Sequence, residues 1–168
     1  MKKLLTLNKV VLFACVSMYF GTGWSLVLFS FPAAPELTPD NYYMQFVPQV
    51  QAATDFFTYM TMLMMLCCAI FIFGEWKTSL KWYPIIVLTL VILATLLTIY
   101  FIFEYNQEMA AGVDDPVRLK IVLNQWMNLN RIRVSIWTLQ WVTMAIYFFR
   151  TDIKLKQAHE TGVAGAII

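Results

Sequence analysis

One histidine, three cysteines and six prolines are all that 168 residues contain of those types, and only 13% of the chain is charged. Each shortage excludes something. A single histidine, His159, cannot supply a bis-histidine haem site, and no Glu-x-x-His pair exists for a bundle di-iron centre. Cys15, Cys67 and Cys68 are odd in number, lie in apolar runs and include two neighbours, so no disulfide framework is expected. The adjacent pair also lacks the Cys-x-x-Cys spacing of a redox couple. There is no internal repeat, low-complexity tract or Asn-X-Ser/Thr sequon. A soluble domain averages about 25% charged residues, and this chain has half that.

Apolar side chains stand where the charges are missing. They make up 60% of the sequence, against about 45–50% in soluble domains, and the mean hydropathy is +0.65. A chain of 19.5 kDa has too little interior to hide that surplus from water. A net charge of +2 is too mild for a polyanionic partner. Disorder, nucleic-acid binding and a water-soluble enzyme fold are excluded. The partner this composition asks for is a lipid bilayer.

Four apolar runs, at about 10–31, 56–73, 84–103 and 132–149, are long enough for a bilayer core that takes roughly 17–25 helical residues. Backbone groups in lipid must bond internally, so each run is expected to be a helix. The fold expected is a single membrane domain over 1–168: an all-α, four-transmembrane-helix, up-and-down bundle. With the N-terminus inside, Lys2, Lys3, Lys9, Lys77, Lys81, Arg150, Lys154 and Lys156 lie on the inner side, leaving Arg118, Lys120, Arg131 and Arg133 outside. That basic bias places both termini in the cytoplasm. The Lys2-Lys3 start could also open a secretory signal, but the first run exceeds a signal core of about 7–15 residues, so it is read as a retained helix. Connections are expected at 32–54, 74–83 and 104–130, the last being the longest, with a basic tail after Arg150 that ends GVAGAII.

The fourth span is the least pure. Asp115 reads as an N-cap and Pro116 as the first helical residue. No breaker follows before Arg150, so a helix of about 52 Å, protruding on the outer side, is expected at 1.5 Å per residue. At 100° per residue, Asn124, Asn128, Arg131, Ser135 and Thr138 share an arc of about 80°, with Arg133, Trp137 and Gln140 opposite. A central membrane arginine costs about 2.5–3.5 kcal/mol, so such residues face a bundle interior or a wet cavity and find partners. The acids within reach are Asp55 and Glu104, with Tyr100 one turn from Glu104. The expected site is therefore Arg131, Asn128 and Asn124 with Asp55, Glu104 and Tyr100, in the outer half of the bundle. The plainer alternative is that Arg131 and Arg133 snorkel to headgroups and anchor the helix, and for Arg133 this alternative is preferred.

The stretch LNQWMNLNRIRVSIWTLQWVTMAI resembles the closing helix of the anthrone-oxygenase-like four-helix membrane family. Trp126, Asn130 and Arg133 fit its W-x-x-x-N-x-x-R-like order, and Asn128 with Arg131 offers a second N-x-x-R register. The first span is similar as well, with Gly21, Gly23 and Pro32 in GTGWSLVLFSFP. The resemblance implies a bacterial inner-membrane protein whose fungal relatives oxidise anthrones with molecular oxygen. It therefore raises a cofactor-independent, oxygenase-like oxidoreductase as one reading.

The other constellations have ordinary explanations. Met60, Met62, Met64 and Met65 with Cys67 and Cys68 read as packing rather than a copper site. Gly21 and Ser25 form a small-xxx-small pair suited to close helix packing. No metal and no cofactor are expected. The expected ligand is an apolar or aromatic small molecule. Arg131 would stabilise its anionic form, and Asp55, Glu104 or Tyr100 would carry a proton. Asn124, Asn128, Asn130, Arg133, Ser135 and Trp126 would line the pocket. The rival reading is a non-enzymatic accessory subunit that docks through the fourth helix onto a homo-oligomer or a partner membrane protein.

Overall fold

Every apolar run is helical in the computed structural model, which describes residues 2–160 and the side chains of 3–157. The closing GVAGAII and the His159 side chain lie outside the described residues. Helix α1 covers Lys2–Ser25 and continues through a π-helical turn, Leu26–Ser30, and short turns to Glu36. Helix α2 spans Tyr42–Glu75. Helix α3 starts at Trp82–Leu97, passes through a second π-helical turn, Thr98–Ile102, and ends as Phe103–Ala111. Helix α4 is Pro116–Glu160. All four are long and apolar enough to cross a membrane, and no strand occurs among the described residues.

The helices outrun their apolar spans. The segments 42–54 and 104–111, expected to be connection, are helical, while 112–115 stay non-helical and 116–130 belong to the protruding helix as expected. The cause is a second core at this distal end of the bundle. Tyr42, Val47, Ile102, Met109, Leu119, Val122 and Trp126 recur at helical spacing and bury one another. α4 begins where Asp115 and Pro116 predict, with Asp115 Oδ1 accepting from the Val117 N–H at 3.0 Å. It runs past the expected stop at Arg150, since Thr151–Gln157 holds no breaker and Lys156 pairs with Asp152 at 2.8 Å. Its 45 residues measure about 68 Å, roughly twice a bilayer core.

Gly112, with φ 99°, ends α3 in a conformation that favours glycine. Tyr42 seals this corner: its buried hydroxyl donates to the Met109 carbonyl at 3.1 Å and accepts from the Val113 N–H at 2.6 Å. Tyr42→Phe leaves both backbone groups buried and unpaired, so a loss of about 2 kcal/mol is expected. The check is a lowered midpoint in thermal unfolding followed by tryptophan fluorescence. An unchanged midpoint would remove the corner from the list of structural supports.

The membrane core is built from Leu12, Val16, Tyr19, Met64, Phe71, Val91, Met144 and Tyr147. Cys15, Cys67 and Cys68 are buried, free thiols within it. The glycine packed tightly against a neighbouring helix is Gly23 rather than Gly21 of the expected Gly21–Ser25 pair. A Cβ at Gly23 would stand 2.8 Å from Trp137 Cε3 and 2.9 Å from Val134 Cγ2, whereas one at Gly21 would meet nothing within 4 Å.

Candidate functional site

Between the two cores the four helices enclose a cavity of about 630 Å³. α4 contributes Trp126, Arg133, Trp137 and Gln140, residues that recur at three to seven positions and so share one helical face. α1 brings Tyr19 and Ser30, α2 brings Phe57 and Met64, and α3 brings Thr98 and Asn106. Both π-helical turns border it, through Leu26 and Ser30 on one side and Thr98 and Ile99 on the other. Such turns widen a helix locally and concentrate at functional sites. Met62 and Ile99 line the cavity and are also exposed, so it opens toward lipid between α2 and α3.

Arg133 is the charge in this space. Its Nη2 donates to Asn130 Oδ1, its Nη1 to Thr98 Oγ1 at 3.4 Å, and its Cζ lies 4.7 Å from the Trp137 ring centroid. Asn130, fully buried, is held in turn by its own Nδ2 donating to the Trp126 carbonyl at 2.8 Å. The Trp126 indole donates to Asn106 Oδ1 at 2.7 Å, tying α4 to α3. Neutral groups thus hold the guanidinium, while its Nε is buried without a partner. No carboxylate pairs with it: the described ion pairs are Lys9–Glu75, Arg118–Glu108 and Lys156–Asp152. Among the described residues, Gln140 Oε1 is the other buried side-chain nitrogen or oxygen without a partner. Among the described residues, no three His, Cys, Asp or Glu side chains group closely enough to hold a metal ion.

A smaller groove of about 380 Å³ at the distal end is bordered by Gln51, Asp55 and Gln107. It shares Phe46, Val50, Thr54, Phe103 and Asn106 with the main cavity. The groove and the cavity are therefore neighbours that share part of their walls.

The sequence-derived site is distributed differently from expectation. Trp126, Asn130 and Arg133 come together. Arg131, Asn124, Asn128 and Ser135 are exposed on the opposite face of α4. Arg131 donates to Asn128 Oδ1 at 2.8 Å and lies 5.4 Å from the Phe31 ring centroid, so it is satisfied at the surface. Ser135 and Thr138 each donate to the carbonyl four residues back, at 3.0 Å and 2.9 Å, and need no interior partner. Of the three expected proton carriers, exposed Asp55 borders the distal groove, while Glu104 and the largely exposed Tyr100 line neither space. The interior polar face was legible in one respect only. Arg133 and Gln140 are the polar residues of the last span that do not bond back to the backbone of their own helix as Ser135, Thr138 and Thr143 do. Tyr19, whose hydroxyl donates to the Phe57 carbonyl at 2.9 Å, gave no such signal.

No family model, curated protein or solved structure matches the chain.

Proposed function

We propose that this is a small multi-pass membrane protein, both termini cytoplasmic and the distal end outside, that binds an apolar or aromatic molecule through an anionic head placed against Arg133. The observation that carries the reading is a partly buried guanidinium in an apolar cavity with no carboxylate beside it. An uncompensated charge there is costly, and an incoming anion offsets the cost. The same guanidinium favours the ionised form of a weakly acidic phenol or enol, which is how the site would assist an oxidation. Membership of the anthrone-oxygenase-like family is part of the proposal, supported by Trp126, Asn130 and Arg133 in the family-like order. An accessory-subunit role through the outer face of α4 draws less support, because Arg131 already has Asn128 and Phe31 as partners.

The test uses the full chain in phosphatidylcholine nanodiscs at mildly alkaline pH, titrated with decanoate and with decanol, with empty discs in parallel. Trp126 and Trp137 fluorescence reports binding. Decanoate is expected to bind about tenfold tighter than decanol, the size of one good charge-assisted contact. Arg133→Gln is expected to erase that preference and Arg131→Gln to keep it. Equal binding of the two probes, or an unchanged preference in Arg133→Gln, would overturn the reading.

A further inference from the structure

The cavity contains two unmet polar demands, and the anion accounts for one. Gln140 is 1% exposed, borders the same cavity as Arg133, and has no partner for Oε1. A buried amide oxygen left unpaired in an apolar setting is costly enough that such atoms are rare. Seven residues separate Gln140 from Arg133, which is two helical turns: about 10 Å along α4 and within about 20° of the same face. Much of the wall they share is apolar or already bonded. Trp137 and Met64 offer rings and thioether, while Thr61 and Thr95 spend their hydroxyl protons on the carbonyls four residues back, at 2.8 Å each. Oε1 needs a donor, and the fold supplies it with none.

Resting on the reading of Arg133 as an anion site, we infer that the ligand is two-ended, with an acidic group at Arg133 and a hydroxyl or N–H group about 10 Å deeper that donates to Gln140 Oε1. The stretch between is apolar and passes Trp137 and Met64. A simple fatty acid or a lipid with a bare tail satisfies Arg133 and leaves Gln140 unpaired. A hydroxylated acid, open-chain or ring-bridged, satisfies both. Gln140 thereby becomes a specificity-determining residue, selecting among acidic molecules that Arg133 alone would not distinguish.

The probes are decanoate and ω-hydroxydecanoate, which differ only by the terminal hydroxyl, titrated into the same nanodiscs. The quantity read is the ratio of their dissociation constants in the unmodified chain divided by that ratio in Gln140→Met, so differences in lipid partitioning cancel. The expected value is about ten in favour of the hydroxylated probe, equivalent to about 1.4 kcal/mol. Gln140→Ala supplies the same comparison if Gln140→Met fails to fold. A ratio unchanged by either substitution overturns the two-ended ligand while leaving the anion site intact. Binding of both probes that ignores Arg133→Gln overturns the anion site itself, and this inference with it.

Discussion

Gly23→Ala is expected to lower the unfolding midpoint and to weaken decanoate binding about tenfold, while Gly21→Ala does neither. Both substitutions add one methyl group to the same helix. In isolation, alanine is the better helix former by about 1 kcal/mol, so propensity predicts a gain at both positions. Gly21 meets nothing within 4 Å and should show that gain. Gly23 faces Trp137 and Val134 at 2.8 and 2.9 Å, distances that a real Cβ does not tolerate, and neither neighbour has a flexible end to swing aside. Overpacking of this kind costs about 1–3 kcal/mol, more than the propensity gain. The displacement also falls on the residue under Arg133. The Trp137 ring packs on Tyr19 at 4.7 Å between centroids as well as on the guanidinium, so moving it disturbs the floor of the cavity. Fluorescence-detected melting of the two variants side by side decides the matter. Equal midpoints would mean that α1 and α4 slide apart without cost, and that the glycine serves no close approach.

The bundle was legible because hydrocarbon leaves a chain few choices. Four apolar runs of spanning length, three of them uncharged, dictate four helices whatever else the sequence holds. The limits of those helices were harder to read. Hydropathy marks where lipid contact ends, whereas helix continues as long as a face remains to be buried. Val47 and Met109 extend that face beyond the apolar spans, turning expected connections into a helical distal end. Asp115 and Pro116 gave the start of α4 correctly because a cap is a local device, readable without knowledge of the partners.

The face of α4 illustrates what a polar stripe does and does not mean. Asn124, Asn128 and Arg131 lie distal to the apolar span, where a polar face simply meets polar surroundings. Ser135 and Thr138 lie within it but bond to their own backbone. Counting polar residues therefore selected the outward side. A count restricted to long polar side chains inside the span leaves Arg133 and Gln140, which point inward. The large residues on the same arc, Trp126, Val134 and Trp137, are buried as well. The useful question was which groups a helix cannot satisfy by itself.

Lys9 and Glu75 raise the same question at the opposite end, where the sequence offers them only as two loop charges. The fold brings Lys9 Nζ to 2.6 Å from Glu75 Oε1 and 2.7 Å from the Tyr147 hydroxyl, which itself donates to Glu75 Oε1 at 3.1 Å. Thr78 donates to Glu75 Oε2 at 2.7 Å, and the ammonium also sits 5.0 Å from the Phe71 ring centroid. One cluster thus fastens α1, α2 and α4. The pair is 20% and 12% exposed, while the bidentate Arg118–Glu108 pair at the distal end is 51% and 29% exposed. Removing one member of a well-buried pair strands the other and costs about 3–5 kcal/mol. With some solvent reaching this cluster, Lys9→Met is expected to cost about 2 kcal/mol. Arg118→Met should cost less than about 1 kcal/mol, because water can solvate the carboxylate left behind. The double variant Lys9→Met with Glu75→Leu is expected to regain most of the loss, since it leaves no orphaned charge and adds apolar contact with Phe71. Melting of the three variants in parallel separates the possibilities. If the double variant melts lower than Lys9→Met alone, Glu75 stabilises through Tyr147 and Thr78 rather than standing as an orphaned charge; if Lys9→Met matches Arg118→Met, the cluster does not hold the three helices together.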